Sequence, residues 1–133
     1  MRYMLDTNIL IYVIKNEPQR VLERLKMHDP SEVCVSLITY AELMYGVEKS
    51  KMKYENRMKL AKLLAVIEII GFDDKAAEEY GDIRATLEAK GTPIGPCDML
   101  IAASARSKGC ILVTNNAKEF SRIDDLTIEN WAE

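Results

Sequence analysis

The sequence predicts an α/β fold, a mostly parallel central sheet of four to five strands flanked by helices, and three observations lead there. Short apolar runs of strand length alternate with longer stretches whose apolar residues recur at helical spacing. Strands and helices in that rhythm assemble through right-handed crossovers into parallel pairs, with helices covering the sheet. The 133 residues, 48% hydrophobic and 29% charged, suffice for one buried core and contain no linker, repeat or low-complexity tract, so 1–133 reads as a single domain.

Taken in order, Tyr3-Met4-Leu5 is the first strand candidate. Asp6-Thr7-Asn8, all helix-capping residue types, then open a helix on which Ile9, Tyr12 and Val13 share a face. Pro18 opens a second helix carrying Val21, Leu22 and Leu25 on one side. Val33-Cys34-Val35 is a β-branched strand, followed by a helix from Thr39 to Lys49. Leu60, Leu63, Leu64 and Ile67 mark another helix, running into a candidate strand that ends at Ile69-Ile70 before Gly71. Ala76, Tyr80, Ile83 and Leu87 form a helical stripe stopped by Gly91. After a Gly-Pro loop comes a helix from about Asp98 to Lys108, stopped by Gly109. Cys110 to Val113 is a buried strand, and Leu126-Thr127-Ile128 is the expected last edge strand.

Composition sets bounds on function. No apolar run approaches the roughly 20 residues needed to span a bilayer. The N-terminal stretch holds Asp6 among its apolar residues and lacks a small-residue cleavage site, so it is not expected to be a signal peptide. Cys34, Cys97 and Cys110 are odd in number, widely spaced and set among apolar neighbours, as expected of buried reduced thiols in a cytoplasmic protein. His28, beside Asp29-Pro30, reads as a surface residue and not a ligand. The formal charge of −3 weighs against a nucleic-acid partner unless something else carries positive charge to the phosphate.

Ligands of open α/β sheets sit beyond the carboxyl ends of the strands. Asp6 directly follows the first strand, and Thr114-Asn115-Asn116 follow the strand ending at Val113. Glu42 falls in the first turn of the predicted helix after Val35, and Asp98 at the start of the helix after the Gly-Pro turn. Each has a purely structural reading. Asp6 caps a helix, Thr39-x-x-Glu42 and Asn116-x-x-Glu119 match capping boxes, and Asp98 suits a helix macrodipole. Taken together, ionised carboxylates in one crevice repel one another, and a Mg²⁺ or Mn²⁺ ion relieves that repulsion with one or two carboxylates and several waters.

Four stretches carry a family resemblance: Met4-Leu5-Asp6-Thr7-Asn8-Ile9-Leu10, Ser36-x₅-Glu42-Leu43-x₂-Gly46, Ile94-Gly95-Pro96-Cys97-Asp98-x₂-Ile101-Ala102 and Leu112-Val113-Thr114-Asn115-Asn116-x₂-Glu119-Phe120. In this order they resemble the PIN domain, and more narrowly the VapC toxins of bacterial and archaeal toxin–antitoxin pairs. The resemblance implies a PIN-like single domain and a Mg²⁺-dependent endoribonuclease that cuts structured RNA, often tRNA, to stop translation. It also implies a homodimer and a cognate VapB-like antitoxin that occupies the site, both in the cytoplasm.

On that reading Asp6 and Asp98 are metal ligands, and Glu42 orients or deprotonates the attacking water. Asn116 holds a water of the ion's shell or a phosphate oxygen, and it stands where many family members carry an acid. Thr7, Asn8 and Thr114 are expected hydrogen-bonding supports. Among the basic residues, Lys49, Lys51 and Lys53 read as a solvated face. Arg84, Arg106 and Lys108 punctuate helices near the cleft, and Arg84 is the candidate contact to RNA or phosphate. A phosphatase of the haloacid-dehalogenase kind would need a second Asp at Asn8, and a response-regulator receiver would need a phospho-accepting Asp where Gly71-Phe72 follow Ile70. A non-catalytic module using the acids to bind a basic partner is the remaining alternative.

Overall fold

The computed structural model describes residues 2–133. Its five strands are β1 (Tyr3–Leu5), β2 (Val33–Ser36), β3 (Glu68–Ile70), β4 (Ile111–Val113) and β5 (Ile128–Glu129). All pair in parallel, in the order β3-β2-β1-β4-β5. Parallel pairing demands a crossover between every pair of neighbours, and seven helices supply and flank these connections: α1 (Thr7–Lys15), α2 (Gln19–Lys26), α3 (Leu37–Lys49), α4 (Lys53–Leu64), α5 (Asp74–Ala89), α6 (Pro96–Ser107) and α7 (Ala117–Phe120).

The two-residue period of the strands decides which helices cover which face. Met4, Cys34 and Leu112 stand in register and face α5, α6 and α7, where Ile83, Leu87, Ile101, Ala102 and Phe120 pack against them. Leu5, Val35 and Val113, one residue on, point the other way. They meet Ile9 and Val13 of α1, Val21 of α2, Leu43 and Val47 of α3, and Leu60 of α4. Fully buried aliphatic side chains of this kind each contribute about 1.5–3 kcal/mol. These two apolar layers fix the sheet, and so fix the row of residues leaving its carboxyl edge.

Several element ends differ from the sequence expectation. α3 starts at Leu37, because the Ser36 hydroxyl accepts from the Ile38 N–H at 3.0 Å and caps the helix. α6 starts at Pro96, whose ring suits a first helical position. α4 ends at Leu64 and leaves Ile67 in the connection to β3. The last strand is Ile128–Glu129, where Thr114 N donates to Glu129 O at 2.9 Å.

Two side-chain expectations are also corrected. His28 is no open surface residue: its ring stacks on Trp131, 5.2 Å between centroids and 3° from parallel, with Tyr3 at 4.4 Å. Cys34 and Cys110 are buried with their Sγ atoms 4.0 Å apart, whereas Cys97 is exposed. Among the described residues no helix is long and apolar enough to cross a membrane.

Candidate active site

The site is built at the carboxyl edge of β1. Asp6 leaves the strand in extended conformation, and its backbone N–H donates to Val113 O at 3.0 Å, which ties the β1 and β4 ends together. Its Oδ1 accepts from the Ile9 N–H at 2.9 Å, so it does cap α1. A capping carboxylate normally stays acidic, since the helix N-terminus favours its charge. Asp6 does the opposite. It is only 5% exposed, and its pKa is raised from 3.8 to about 6. Burial is the largest cause, and the charges of Asp98 and Glu42 add to it. A hydrogen bond from the Thr114 hydroxyl and the one from Ile9 hold it back. Desolvation therefore wins over the cap.

Glu42 arrives from α3. With Ser36 as the cap, Glu42 lies in the second turn, so the alternative reading of a capping box with Thr39 does not hold. Thr39 is buried within the helix, and the Glu42 Oε1 instead accepts from the Thr7 hydroxyl at 2.5 Å. Thr7 Oγ1 also lies 3.3 Å from Thr39 Oγ1, so Thr7 fastens the start of α1 to α3. Asp98, in the first turn of α6, is half-buried, and its pKa is pushed up by burial and by the charges of Glu119 and Glu42.

Asn116 is placed by Thr114, whose Oγ1 accepts from the Asn116 N–H at 2.9 Å. The Asn116 amide then donates to Glu119 Oε2 at 2.9 Å. The capping box expected from Asn116-x-x-Glu119 is therefore absent: Asn116 makes no side-chain cap to α7, and the Glu119 carboxylate, taken up by the Asn116 amide, adds its charge to the surroundings of Asp98. Asn8 is exposed and makes no side-chain hydrogen bond among the described residues.

The electrostatic outcome is an acidic cluster with no paired cation among the described residues. Among the described residues no Lys, Arg or His forms an ion pair with Asp6, Glu42, Asp98 or Glu119. The donors are hard oxygens, which suit Mg²⁺ or Mn²⁺. Among the described residues no three His, Cys, Asp or Glu side chains stand close enough to enclose a metal by themselves.

The chain matches the PIN domain family over residues 3–126. It is 43% identical over 132 residues to the tRNA(fMet)-specific endonuclease VapC of Shigella flexneri, covering 99% of each chain. It is 46% identical over 131 residues to ribonuclease VapC2 of Haemophilus influenzae, covering 98% of each. The chain belongs to the VapC family of PIN-domain ribonucleases. Its fold superposes on VapBC2 from Rickettsia felis bound to a promoter DNA fragment, with a TM-score of 0.92, 45% identity and coverage of 98% and 99%. DNA-bound VapBC from Salmonella typhimurium gives 0.93 and 44%, with 98% coverage of each chain.

Within this VapC fold the structure brings together Asp6, Glu42, Asp98, Thr7, Thr114 and, through Glu119, Asn116. It does not bring the basic residues in. Arg84 is exposed and donates to Glu88 Oε2 at 3.1 Å and Tyr80 OH at 2.9 Å along its own helix. Arg106 is taken up by Glu79 and Asp82, and Lys108 by Asp73. Sequence reasoning also gave Cys97 no part in the site, although its pKa is raised by burial and by the nearby Glu42 and Asp98 charges. Its position one residue before Asp98, at a helix start, was the available signal.

Proposed function

We propose that this VapC-family chain is a Mg²⁺-dependent endoribonuclease, with Mn²⁺ able to substitute, that hydrolyses phosphodiester bonds of structured RNA. The observation that carries the reading is the cluster of Asp6, Glu42 and Asp98, buried enough to raise Asp6 to about 6 and ion-paired with no Lys, Arg or His among the described residues. An ion held by Asp6 and Asp98 would neutralise phosphate charge and make water more acidic, offsetting a net charge of −3 that is otherwise unsuited to RNA. Glu42, fixed by Thr7, orients or deprotonates the attacking water. Thr114 keeps Asp6 ionised and Asn116 in place, and Asn116 offers its amide to a phosphate oxygen. Arg84 reaches the RNA backbone only if phosphate displaces Glu88.

The named specificity of the Shigella flexneri relative for tRNA(fMet) supports tRNA as the substrate class. The VapBC complexes among the structural relatives support a VapB-like antitoxin as partner, the chain acting as the toxin of the pair and inhibiting translation in the cytoplasm. An antitoxin arginine would silence the site by pairing with the carboxylates in place of the ion. A homodimer completes the reading. Incubating the purified chain with total tRNA, with Mg²⁺ and with EDTA, tests it. Discrete fragments only with Mg²⁺ are expected, and intact tRNA under both conditions would leave a non-catalytic module.

A further inference from the structure

β5 is two residues long, stands at the edge of the sheet and pairs only with β4. Strands usually run roughly 3–10 residues, so its ladder alone holds it weakly. Its carboxyl end nevertheless bears on the site. Thr114 N–H donates to Glu129 O at 2.9 Å, and the carbonyl of the same Val113–Thr114 peptide accepts from the Asp6 N–H at 3.0 Å. One planar, rigid peptide unit therefore bridges Asp6 and Glu129. The Thr114 hydroxyl extends the link, bonding the Asp6 carboxylate and accepting from the Asn116 N–H at 2.9 Å.

What fixes Glu129 lies two residues on. Trp131 is 0% exposed and packs in the layer of Leu5, Val33 and Val113. His28 stacks on its ring, and the Tyr3 ring lies 5.6 Å from it between centroids. The indole Nε1–H donates to Glu129 Oε1 at 3.0 Å. Arg24 reaches the same oxygen at 3.4 Å and stands 5.8 Å over the ring. A fully buried indole brings far more packing than a two-residue ladder, so the side chain of Trp131 is what anchors this segment.

Resting on the RNA-cleaving reading, we propose that residues 127–131 form a strap that positions Asp6, with Trp131 as its anchor. Loosening the indole frees Glu129, then the Val113–Thr114 peptide, and with it the Asp6 carboxylate and the Asn116 amide. Trp131 and Glu129 act only through Thr114, so both are positioning residues. A Trp131 that merely filled the core would lower stability and leave the reaction of the folded protein alone.

The test compares Trp131→Leu with Leu87→Ala, which removes a buried side chain from the opposite layer and serves as the stability control. Trp131→Phe keeps an aromatic ring on His28 and loses only the N–H to Glu129, so it carries the test if Trp131→Leu does not fold. All proteins are measured at a temperature where thermal melts show them folded. Hydrogen exchange read by NMR, taken relative to the amides of β2, should speed up at Thr114 at least about tenfold in Trp131→Leu, severalfold in Trp131→Phe and not at all in Leu87→Ala. On a tRNA that the wild type cuts, Trp131→Leu should lower kcat about tenfold with KM within about twofold, the scale of one misplaced hydrogen bond to a charged group. Mn²⁺ binding to the RNA-free chain, measured by calorimetry, should weaken in the same order of variants. Equal losses of kcat in Trp131→Leu and Leu87→Ala, or a wild-type kcat alongside fast Thr114 exchange, overturn the strap while leaving the nuclease standing. Fast Thr114 exchange with weakened Mn²⁺ binding, in a chain whose wild type cuts no RNA, keeps the strap and refutes the nuclease.

Discussion

Replacing Asp6 with Asn separates the two duties of that residue. Asn caps a helix about as well as Asp, so the bond from the Ile9 N–H survives. What disappears is a buried charge. The folded pKa of about 6 lies above the ordinary 3.8, so the native state binds more protons than the unfolded state between those values. Stability from this group is therefore greatest below 3.8, falls as pH rises toward about 6, and is level above it. The gap corresponds to about 3 kcal/mol against the folded wild type at neutral pH, at roughly 1.36 kcal/mol per pKa unit. In EDTA at pH 7.5, Asp6→Asn should accordingly be the more stable protein by about 1–3 kcal/mol, a rise of about 4–12 °C in Tm for a chain of this size. Differential scanning calorimetry from pH 4 to 8 should show the advantage of the variant shrinking toward pH 4. Saturating Mn²⁺ should raise the Tm of the wild type and leave Asp6→Asn unmoved. A variant that melts below the wild type in EDTA at pH 7.5, with an unchanged pH slope, would refute the reasoning and make Asp6 chiefly a cap.

Glu42→Gln should lower the cleavage rate by about 10²–10⁴-fold, the usual worth of a general base, with Tm nearly unchanged because the amide still accepts from Thr7; normal single-turnover cleavage would remove Glu42 from the chemistry. Thr114→Val deletes a hydrogen bond that lowers the Asp6 pKa, so the acid limb of the pH–rate profile should move about one unit toward higher pH; a shift the other way would contradict the assignment. Mn²⁺ titration of the RNA-free chain by calorimetry should find one firm site, because Asn116 is neutral and holds Glu119 by its amide. Two firm sites, the second lost in Glu119→Gln, would make Glu119 a ligand.

The parts of the fold legible in the sequence are those fixed by periodicity. Met4 and Leu5 alternate between two cores, and Ile83 and Leu87 repeat at helical spacing; both patterns follow directly from burial. The placement of Asp6 and Asp98 was legible because each follows a strand or a turn just ahead of a helix. Which hydroxyl caps α3 was not legible. Ser36 and Thr39 are both capping types, and only the length of β2, set by pairing through Ser36 to Ile70, decides for Ser36. That one shift puts Glu42 in the second turn, where the alternative capping-box role is closed and its carboxylate accepts from Thr7. His28 was misread because its partner Trp131 lies far along the chain. Arg106 and Lys108 were misread in the same way, their acids coming from α5 and its cap.

The central claim is that the carboxylates act through a divalent ion on RNA. Its most direct measurement is cleavage of one defined tRNA by the wild type and by Asp98→Asn across a Mg²⁺ series, with EDTA as zero. Wild-type cleavage that rises with Mg²⁺ and vanishes in EDTA is expected, together with a folded Asp98→Asn protein that cuts at least about 10²-fold more slowly at every concentration. Equal cleavage by the two proteins, or cleavage that persists in EDTA, would contradict it.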